Sequence, residues 1–337
     1  MRLGYLLIII VLLASCKPGR KVNTSFYYWK TVYRQNPVED NYLRQMHANR
    51  LYVRMMDIDL GDDGLPAPVS PITFQNKLPD TVQIVPVVFI VNDVLRNISQ
   101  PQLNDLAKNT VRFVDGKITQ AAKSGYSELQ IDCDWTTETR ANYFYLLRQL
   151  KPLLGKRQLS VTLRLHQVKN QKTSGIPPAD KVLLMCYNMG NLRKYGNQNS
   201  IMELSELKKY LGDDLNAYPM AMDVGLPLFS WAVAFRDKQY IGIAKKINFS
   251  ILNDAAQFQS NGNNMYSAKT DLPALGLQRG DEVRWEAIKI NDLQASTAYI
   301  AHYLKPGGLN VVYFHLDEAI VKNYTYEELQ NTVNLLH

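Results

Sequence analysis

The feature that most constrains the fold is an alternation of eight short apolar runs with segments of helical periodicity. Most runs are continuously apolar, which is typical of parallel strands buried on both faces. The runs cover residues 25–29, 51–58, 82–91, 128–134, 159–165, 182–187, 222–228 and 309–314. Helical patterns cover residues 37–48, 101–124, 140–154, 202–211 and 324–336, the last with Thr325 as its predicted N-cap. Eight β/α alternations predict an α/β fold, a (β/α)8 TIM-type barrel.

One connection breaks this rhythm, because about 80 residues separate the seventh run from the eighth. Residues 256–268 are polar and rich in turn formers, and residues 283–290 fit either a strand or a short helix. Loops of this length in compact domains are usually functional or have their own secondary structure. We therefore expect a barrel over residues 25–337 with an insertion at 232–308, above the seventh and eighth strands.

The first residues carry a targeting pattern. Arg2 precedes an apolar run at 6–13, which is too short for a comfortable membrane span and ends in Leu-Ala-Ser-Cys16. These four residues resemble a bacterial lipobox, which predicts a signal peptide at 1–15, a lipid on Cys16 and a polar tether over 16–24. We expect a protein anchored in the bacterial cell envelope, at the outer membrane, facing the periplasm or the cell surface. The alternative is an ordinary secretory signal with an incidental Cys16.

Composition and motifs argue against several function classes. The 38 basic and 31 acidic side chains give a net charge of +7, but the basic residues are scattered, whereas nucleic-acid binding needs a concentrated patch. The sequence contains no phosphate-binding glycine loop, no serine-hydrolase elbow and no Cys/His spacing typical of zinc. We expect no cofactor, no metal and a monomer. Cys133 and Cys186 lie in apolar runs and fit small buried side chains, although spacing alone leaves a disulfide between them open.

Two carboxylates stand at the end of the fourth run. Asp132 and Asp134 are two residues apart, so on a strand they share a face, with Cβ atoms about 6–7 Å apart. Active sites of TIM barrels form at this end of the strands. Two close like charges raise one pKa, which suits a general acid, and glycoside cleavage usually uses two carboxyl groups. Glu138, Asp57 or Asp317 are candidates for a second group.

Other polar and aromatic residues also fall at predicted strand ends. They are Trp29, Asp57, Trp135, Glu138, Arg164, His166, Tyr187, Asn188, Trp231, His315 and Asp317. Together they predict an acidic cleft lined with aromatic rings, which suits sugars because these rings offer apolar faces to the C–H faces of a sugar. Each residue also has a structural alternative: Asp57 as a helix cap, Arg164 as a partner of Asp132, His166 as a surface residue.

Several segments resemble the chitinase-like superfamily, that is, the family-18 glycoside hydrolases and their bacterial lipoprotein relatives without the usual catalytic Glu. Asp132 and Asp134 match the second and third Asp of the family pattern D-x-x-D-x-D-x-E on strand four. Further similar segments are 143–150 on the following helix, 185–188 on strand six, 224–229 on strand seven and 307–313 on strand eight. The family's small α+β insertion after strand seven corresponds to the long connection.

The sequence also departs from this pattern. Thr136 occupies the position of the catalytic Glu, and Leu129 that of the first Asp. Since Thr136 cannot protonate a leaving oxygen, two main hypotheses follow from the resemblance. The chain is either a glycoside hydrolase with a rearranged acid drawn from Asp132, Asp134 and Glu138, or a non-catalytic glycan-binding lipoprotein. A structural lipoprotein on a barrel scaffold is a third hypothesis, because fold does not imply function.

Overall fold

The computed structural model describes residues 19–337. Sixteen strands occur in chain order. They are β1 Lys21–Tyr28, β2 Val32–Tyr33, β3 Arg50–Leu60, β4 Pro66–Val69, β5 Thr73–Phe74, β6 Gln83–Ile90, β7 Glu128–Asp132, β8 Gln158–Arg164, β9 Lys181–Met185, β10 Ala221–Pro227, β11 Trp231–Arg236, β12 Gln239–Ile243, β13 Phe258–Gly262, β14 Met265–Ala268, β15 Glu282–Glu286 and β16 Gly308–Phe314.

Eight of these strands form a closed parallel barrel in the order β1, β16, β10, β9, β8, β7, β6, β3, and β3 pairs again with β1. They are the eight apolar runs of the sequence, so the predicted (β/α)8 barrel is confirmed. Their residues are almost fully buried because helices cover the outside of the sheet and side chains fill its interior. The hairpin strand β4 extends β3 with antiparallel pairing.

Within residues 19–337, eleven α-helices accompany the strands. They are α1 Pro37–Gln45, α2 Gln100–Gln120, α3 Arg140–Leu154, α4 Leu165–Lys169, α5 Gln171–Ser174, α6 Leu204–Tyr210, α7 Asp213–Ala217, α8 Phe249–Leu252, α9 Ile290–Tyr303, α10 Glu318–Val321 and α11 Tyr326–Asn334. Thr325 caps α11 as predicted, since its hydroxyl accepts from the Glu328 N–H and the Glu328 carboxylate accepts from the Thr325 N–H. Among residues 19–337, no helix combines the length and apolar character that a membrane crossing requires.

The insertion between β10 and β16 is a five-stranded antiparallel sheet in the order β12, β11, β15, β14, β13. It has its own small core around Phe258 and Val283. The ambiguous residues 283–290 supply strand β15. The insertion is shorter than the predicted 232–308, because α9 packs Leu293 and Ile300 into the barrel core and is therefore a barrel helix.

The predicted signal peptide at 1–15 and Cys16 lie outside the described residues. The predicted tether of 16–24 is too long, because β1 already begins at Lys21. Arg20 precedes this strand, and its guanidinium donates to the carbonyl oxygens of Ala301, Leu304, Lys305 and Leu336. The chain is thus fixed to the barrel from Arg20 onward.

Buried charges join four strands near the N-terminal end of the barrel. Lys181 Nζ lies 2.9 Å from Glu128 Oε2 and 2.6 Å from Asp223 Oδ2. Asp223 also accepts from the backbone N–H and the side-chain amide of Asn310. The network links β7, β9, β10 and β16, at the end that usually serves stability in this fold.

Candidate functional site

The two strand-end carboxylates have different surroundings. Asp132 is the last residue of β7, is buried, and accepts a 2.6 Å hydrogen bond from Thr162 Oγ1. Asp134 is half-buried and receives both arms of Arg164, with Nε–Oδ1 at 2.5 Å and Nη2–Oδ2 at 2.6 Å. Arg164 therefore pairs with Asp134, whereas the sequence suggested Asp132 as its partner. Such a two-point pair fixes the Asp134 carboxylate and compensates its charge.

Asp132 is the carboxyl group that can carry a proton near neutral pH. Burial, and then the charge of Asp134, raises the pKa of Asp132 to about 6, with Asp57 adding to the effect. The hydrogen bond from Thr162 and the charge of Arg164 act in the opposite direction. A carboxyl with such a pKa can donate a proton where an ordinary Asp is already ionised.

Thr136 and Glu138 make their hydrogen bonds and ion pairs with groups other than Asp132 and Asp134. Thr136 is exposed, and its N–H donates to Thr139 Oγ1 at 3.0 Å at the start of the loop into α3. Glu138 has a side chain that is 71% exposed, and it pairs with Arg96 at 2.7 Å. Glu138, which the sequence predicted as a catalytic residue, is therefore an exposed carboxylate paired with an exposed arginine.

Four aromatic rings form a row across the C-terminal end of the barrel. Trp29 lies 5.4 Å from Phe314, Phe314 lies 5.7 Å from Phe229, and Phe229 lies 5.2 Å from Trp231, between ring centroids. We call these four residues the aromatic row, and each is half-buried. Tyr187 is buried beside it and contacts both phenylalanines. The row joins the ends of β1, β16 and β10 to the inserted sheet.

The two tryptophans of this row are among the predicted site residues, whereas Phe229 and Phe314 are not. Phe314 closes the eighth apolar run, and Phe229 directly follows the seventh. Their position at strand ends was the available signal, since the last residue of a barrel strand can face the open end.

Trp135 does not line the cleft, contrary to the prediction. Its side chain is 2% exposed, stacks on Tyr143 at 5.0 Å, and donates from Nε1 to the Ser174 carbonyl at 3.0 Å. The ring is directed into the packing between α3 and α5 because its alternate neighbours, Asp132 and Asp134, take the other face.

Asp57 belongs to a second ion pair at the strand ends. Both oxygens of Asp57 accept from Arg54 on the same strand, β3, so Asp57 does not cap a helix. The Arg54 guanidinium carbon lies 5.8 Å from the Trp29 ring centroid, within range of a cation–π contact. This pair therefore connects an acidic group to one end of the aromatic row.

The residues after β16 contribute a neutral imidazole and a helix cap. Burial lowers the pKa of His315 to about 4, so its ring is uncharged near neutral pH. Within the described chain its Nδ1 is buried without a hydrogen-bond partner. Asp317 caps α10 by accepting from the Ala319 N–H at 2.9 Å, and its other oxygen lies 3.2 Å from Lys30 Nζ.

His166 and Asn188 are exposed at the ends of β8 and β9. Asn188 has a φ of 55°, a left-handed conformation that asparagine tolerates better than most residues. Its N–H donates to the Ile201 carbonyl at 2.7 Å, which closes the loop after β9.

A buried charge cluster fixes Trp231 and this loop to the inserted sheet. The Glu286 carboxylate accepts from Arg284, from the N–H and hydroxyl of Ser200, and from Trp231 Nε1 at 3.0 Å. Arg284 also donates to the carbonyls of Leu192, Lys194 and Gly196. The orientation of one end of the aromatic row is thus set by the insertion.

Cysteine and metal chemistry find little support in the described part of the chain. Cys133 and Cys186 are both buried and unbonded, so they do not form the disulfide that the sequence left open. Across residues 19–337, no group of three or more His, Cys, Asp or Glu side chains is arranged to hold a metal ion.

Comparison with known proteins shows which solved structures have a similar fold. No family model and no curated protein sequence matches this chain. Among solved structures, the spore cortex-lytic enzyme SleL of Bacillus cereus is 17% identical, with a TM-score of 0.53 over 93% of this chain and 75% of that chain. The Group IV chitinase of Ostrinia furnacalis is 10% identical, with a TM-score of 0.54 over 94% and 100%.

The second catalytic domain of the Ostrinia furnacalis Group II chitinase is also similar, at 10% identity, with a TM-score of 0.51 over 94% and 96% of the two chains. At these identities the likeness concerns the fold. The predicted resemblance to the chitinase-like TIM barrels is confirmed at that level.

Proposed function

We propose that this chain is a cell-envelope lipoprotein that binds glycans along the aromatic row at the C-terminal end of its barrel. The observation that carries the proposal is the continuity of the row, in which Trp29, Phe314, Phe229 and Trp231 follow one another at 5.2–5.7 Å. The rings contact one another in tilted or edge-to-face geometry, and because each is only half-buried they expose parts of a connected apolar surface. A chain of sugar units can lay its C–H faces along such a surface.

Polar groups beside the row support the same ligand class. Asp134 and Arg164 form an ordered pair with part of its surface accessible, since the side chains are 45% and 24% exposed. Asn188 is exposed next to the buried Tyr187. Such groups can exchange hydrogen bonds with hydroxyls, which both donate and accept. The fold neighbours described as a spore cortex-lytic enzyme and as chitinases lend further support to a glycan ligand.

Hydrolysis is the second candidate function, and the pKa of Asp132 favours it. A carboxyl with a pKa of about 6 is still partly protonated near neutral pH and can act as a general acid there. Catalysis would then run through Asp132 instead of the usual Glu, whose position holds Thr136. The fixed pairing of Asp134 with Arg164 favours binding over catalysis, because a paired carboxylate is a weaker nucleophile and base.

A panel of bacterial and host glycans separates the two functions. Purified full-length protein in mild detergent is tested for binding by glycan array and for product release by chromatography. We expect binding to at least one β-linked polymer. If any glycan is cleaved, the Asp132→Asn variant shows whether the cleavage depends on Asp132. Binding without turnover supports the lectin-like function, turnover lost in Asp132→Asn supports the hydrolase, and no binding to any glycan contradicts both.

The lipid anchor is a separate part of the proposal. It is supported by Leu-Ala-Ser-Cys16 after a short apolar run. Metabolic labelling with a fatty acid should mark the wild-type chain in a bacterial host and leave Cys16→Ser unlabelled. Fractionation of the same cells assigns the membrane, for which we propose the outer membrane.

A further inference from the structure

We propose that the N-terminal face of the barrel lies directly against the lipid surface and that the aromatic row faces away from it. This inference rests on the lipid anchor of the proposed function. The inference adds the orientation of the barrel on the membrane. In this orientation the aromatic row can bind glycans that arrive from the aqueous side, and it cannot reach the sugar headgroups of the membrane that holds the anchor.

The first observation is the way Arg20 holds the start of the described chain. Its guanidinium donates to Ala301, Leu304 and Lys305 at the end of α9 and to Leu336 after α11, at 2.7–3.1 Å. Helix C-termini leave carbonyl oxygens without intrahelical partners and carry negative partial charge, so a cation is stabilised there. The four hydrogen bonds fix the chain next to the ends of two helices.

The second observation is the shortness of the segment between the lipid and this point. Only residues 17–19 separate Cys16 from Arg20. Even a fully extended chain covers at most about 3.6 Å per residue, so Cys16 lies within about 15 Å of Arg20. A lipid inserted through Cys16 therefore brings the face around Arg20 to the headgroups, whatever path these residues take.

The third observation is that the aromatic row is at the opposite end. Arg20 precedes β1, and Trp29 follows it. An eight-residue strand extends for about 25 Å, so the row stands well above the face that holds Arg20. Because strand and anchor are joined by a fixed contact, the barrel cannot freely turn its cleft towards the bilayer.

The surface around Arg20 suits this position. Lys21, Lys305 and Pro306 are exposed, and Leu335 is 41% exposed at the end of α11. Basic side chains near a bilayer are attracted to anionic headgroups, and a single exposed apolar side chain fits the interfacial region.

Depth-dependent fluorescence quenching tests the orientation. Since Cys133 and Cys186 are buried, a surface cysteine can be labelled selectively in the lipidated protein. Pro306→Cys marks the N-terminal face, and Asp62→Cys, exposed in the turn after β3, marks the opposite end. The proteins are reconstituted into vesicles of phosphatidylethanolamine and phosphatidylglycerol that contain a headgroup spin label.

We expect at least two-fold stronger quenching at position 306 than at position 62. Insertion of about 20 Gly and Ser residues between Lys17 and Pro18 should abolish the difference, because such a linker reaches about 25 Å on average. Arg20→Ala should weaken it. Equal quenching at both positions, or stronger quenching at 62, overturns the orientation.

Vesicle flotation keeps this outcome separate from the proposed function. Protein that floats but shows equal quenching is anchored without a fixed orientation, so only the present inference fails. Protein that does not float lacks the anchor, which overturns the inference together with the lipoprotein proposal. Glycan binding is measured on the same preparations and is independent of both results.

Discussion

At the scale of single residues, the site depends on the different burial and hydrogen-bond partners of two neighbouring carboxylates, Asp132 and Asp134. Asp134 is held by both arms of Arg164, whereas Asp132 is buried with one hydrogen bond from Thr162. The result is one compensated charge and one carboxyl whose pKa is raised to about 6. A raised pKa also means that ionised Asp132 costs folding free energy.

The stability of the protein should therefore depend on pH through Asp132. The folded protein holds this proton up to about pH 6 and the unfolded chain only to about pH 4, so stability falls as pH rises through that window. The loss amounts to about 3 kcal/mol at most. Asp132→Asn keeps an oxygen for Thr162 and should remove this part of the pH dependence in urea unfolding between pH 4 and 7.

The matched control is Asp105→Asn, which changes an exposed carboxylate on α2. It should leave the pH profile of unfolding unchanged. If Asp132→Asn also keeps the wild-type profile, the raised pKa of Asp132 is wrong.

Arg164 allows a second prediction about the pair. Its charge lowers the pKa of Asp132, so Arg164→Met should raise that pKa further above about 6. Carbon NMR of the Asp carboxyl groups across a pH series measures the change directly. A lower or unchanged Asp132 pKa in Arg164→Met would show that Arg164 does not act on this carboxyl.

These residue roles were only partly accessible from sequence. The alternation of a strand placed Asp132 and Asp134 on one face, as predicted. The choice of ion partner was not accessible, because it depends on how far Arg164 reaches from the neighbouring strand. Trp135 was assigned to the cleft because of its residue type, although the same alternation turns it away from the pair.

At the scale of elements, the inserted sheet acts as a support for the loop after β9. Arg284 and Glu286 are fully buried and bind one another at 2.7 Å. Through Ser200 and the carbonyls of residues 192–196 they attach that loop to β15. Glu286 also receives Trp231, so one cluster orders both a loop and an end of the aromatic row.

Glu286→Gln should loosen this element and leave the barrel intact. It leaves the buried Arg284 without its counter-charge, which is costly in a dry environment. We expect faster hydrogen exchange in residues 191–200 and glycan affinity several-fold weaker, with unchanged exchange in β7 and β8. Asp237→Asn, in the exposed turn between β11 and β12 of the same sheet, is the control and should leave the exchange of residues 191–200 unchanged.

The barrel elements were predictable because continuous apolar runs and helical periodicity repeat regularly along the chain. The strands of the inserted sheet were harder to predict, because they are short and their core is small. Helix α9 was missed because it follows the sheet directly, inside a segment that the sequence marked only as a long connection.

At the scale of the whole molecule, the N-terminal end of the barrel contributes to stability and the C-terminal end carries the candidate binding site. Lys181, Glu128 and Asp223 form a buried network at the N-terminal end, while the aromatic row and the two aspartates lie at the other. Lys181→Met removes the ammonium group that lies within 3 Å of both the Glu128 and the Asp223 carboxylates. In the described residues, the other cation recorded near Glu128 is Arg50, at 3.9 Å. We expect a loss of about 3–5 kcal/mol in urea unfolding.

The same variant should bind glycans with wild-type affinity below its unfolding transition. Its Arg50→Met counterpart, which affects a weaker 3.9 Å contact to Glu128, should cost less stability. A glycan affinity that falls in folded Lys181→Met would contradict the separation of the two ends.

Glycan binding by the aromatic row is tested by calorimetric titration of the best glycan from the panel into wild type, Trp29→Ala, Trp231→Ala and Phe249→Ala. Phe249 is 48% exposed on the inserted domain outside the aromatic row and serves as the matched control. We expect about ten-fold weaker binding for each tryptophan variant, a change of about 1.4 kcal/mol, and wild-type binding for Phe249→Ala. Unchanged affinity in both tryptophan variants would show that the aromatic row does not bind the glycan.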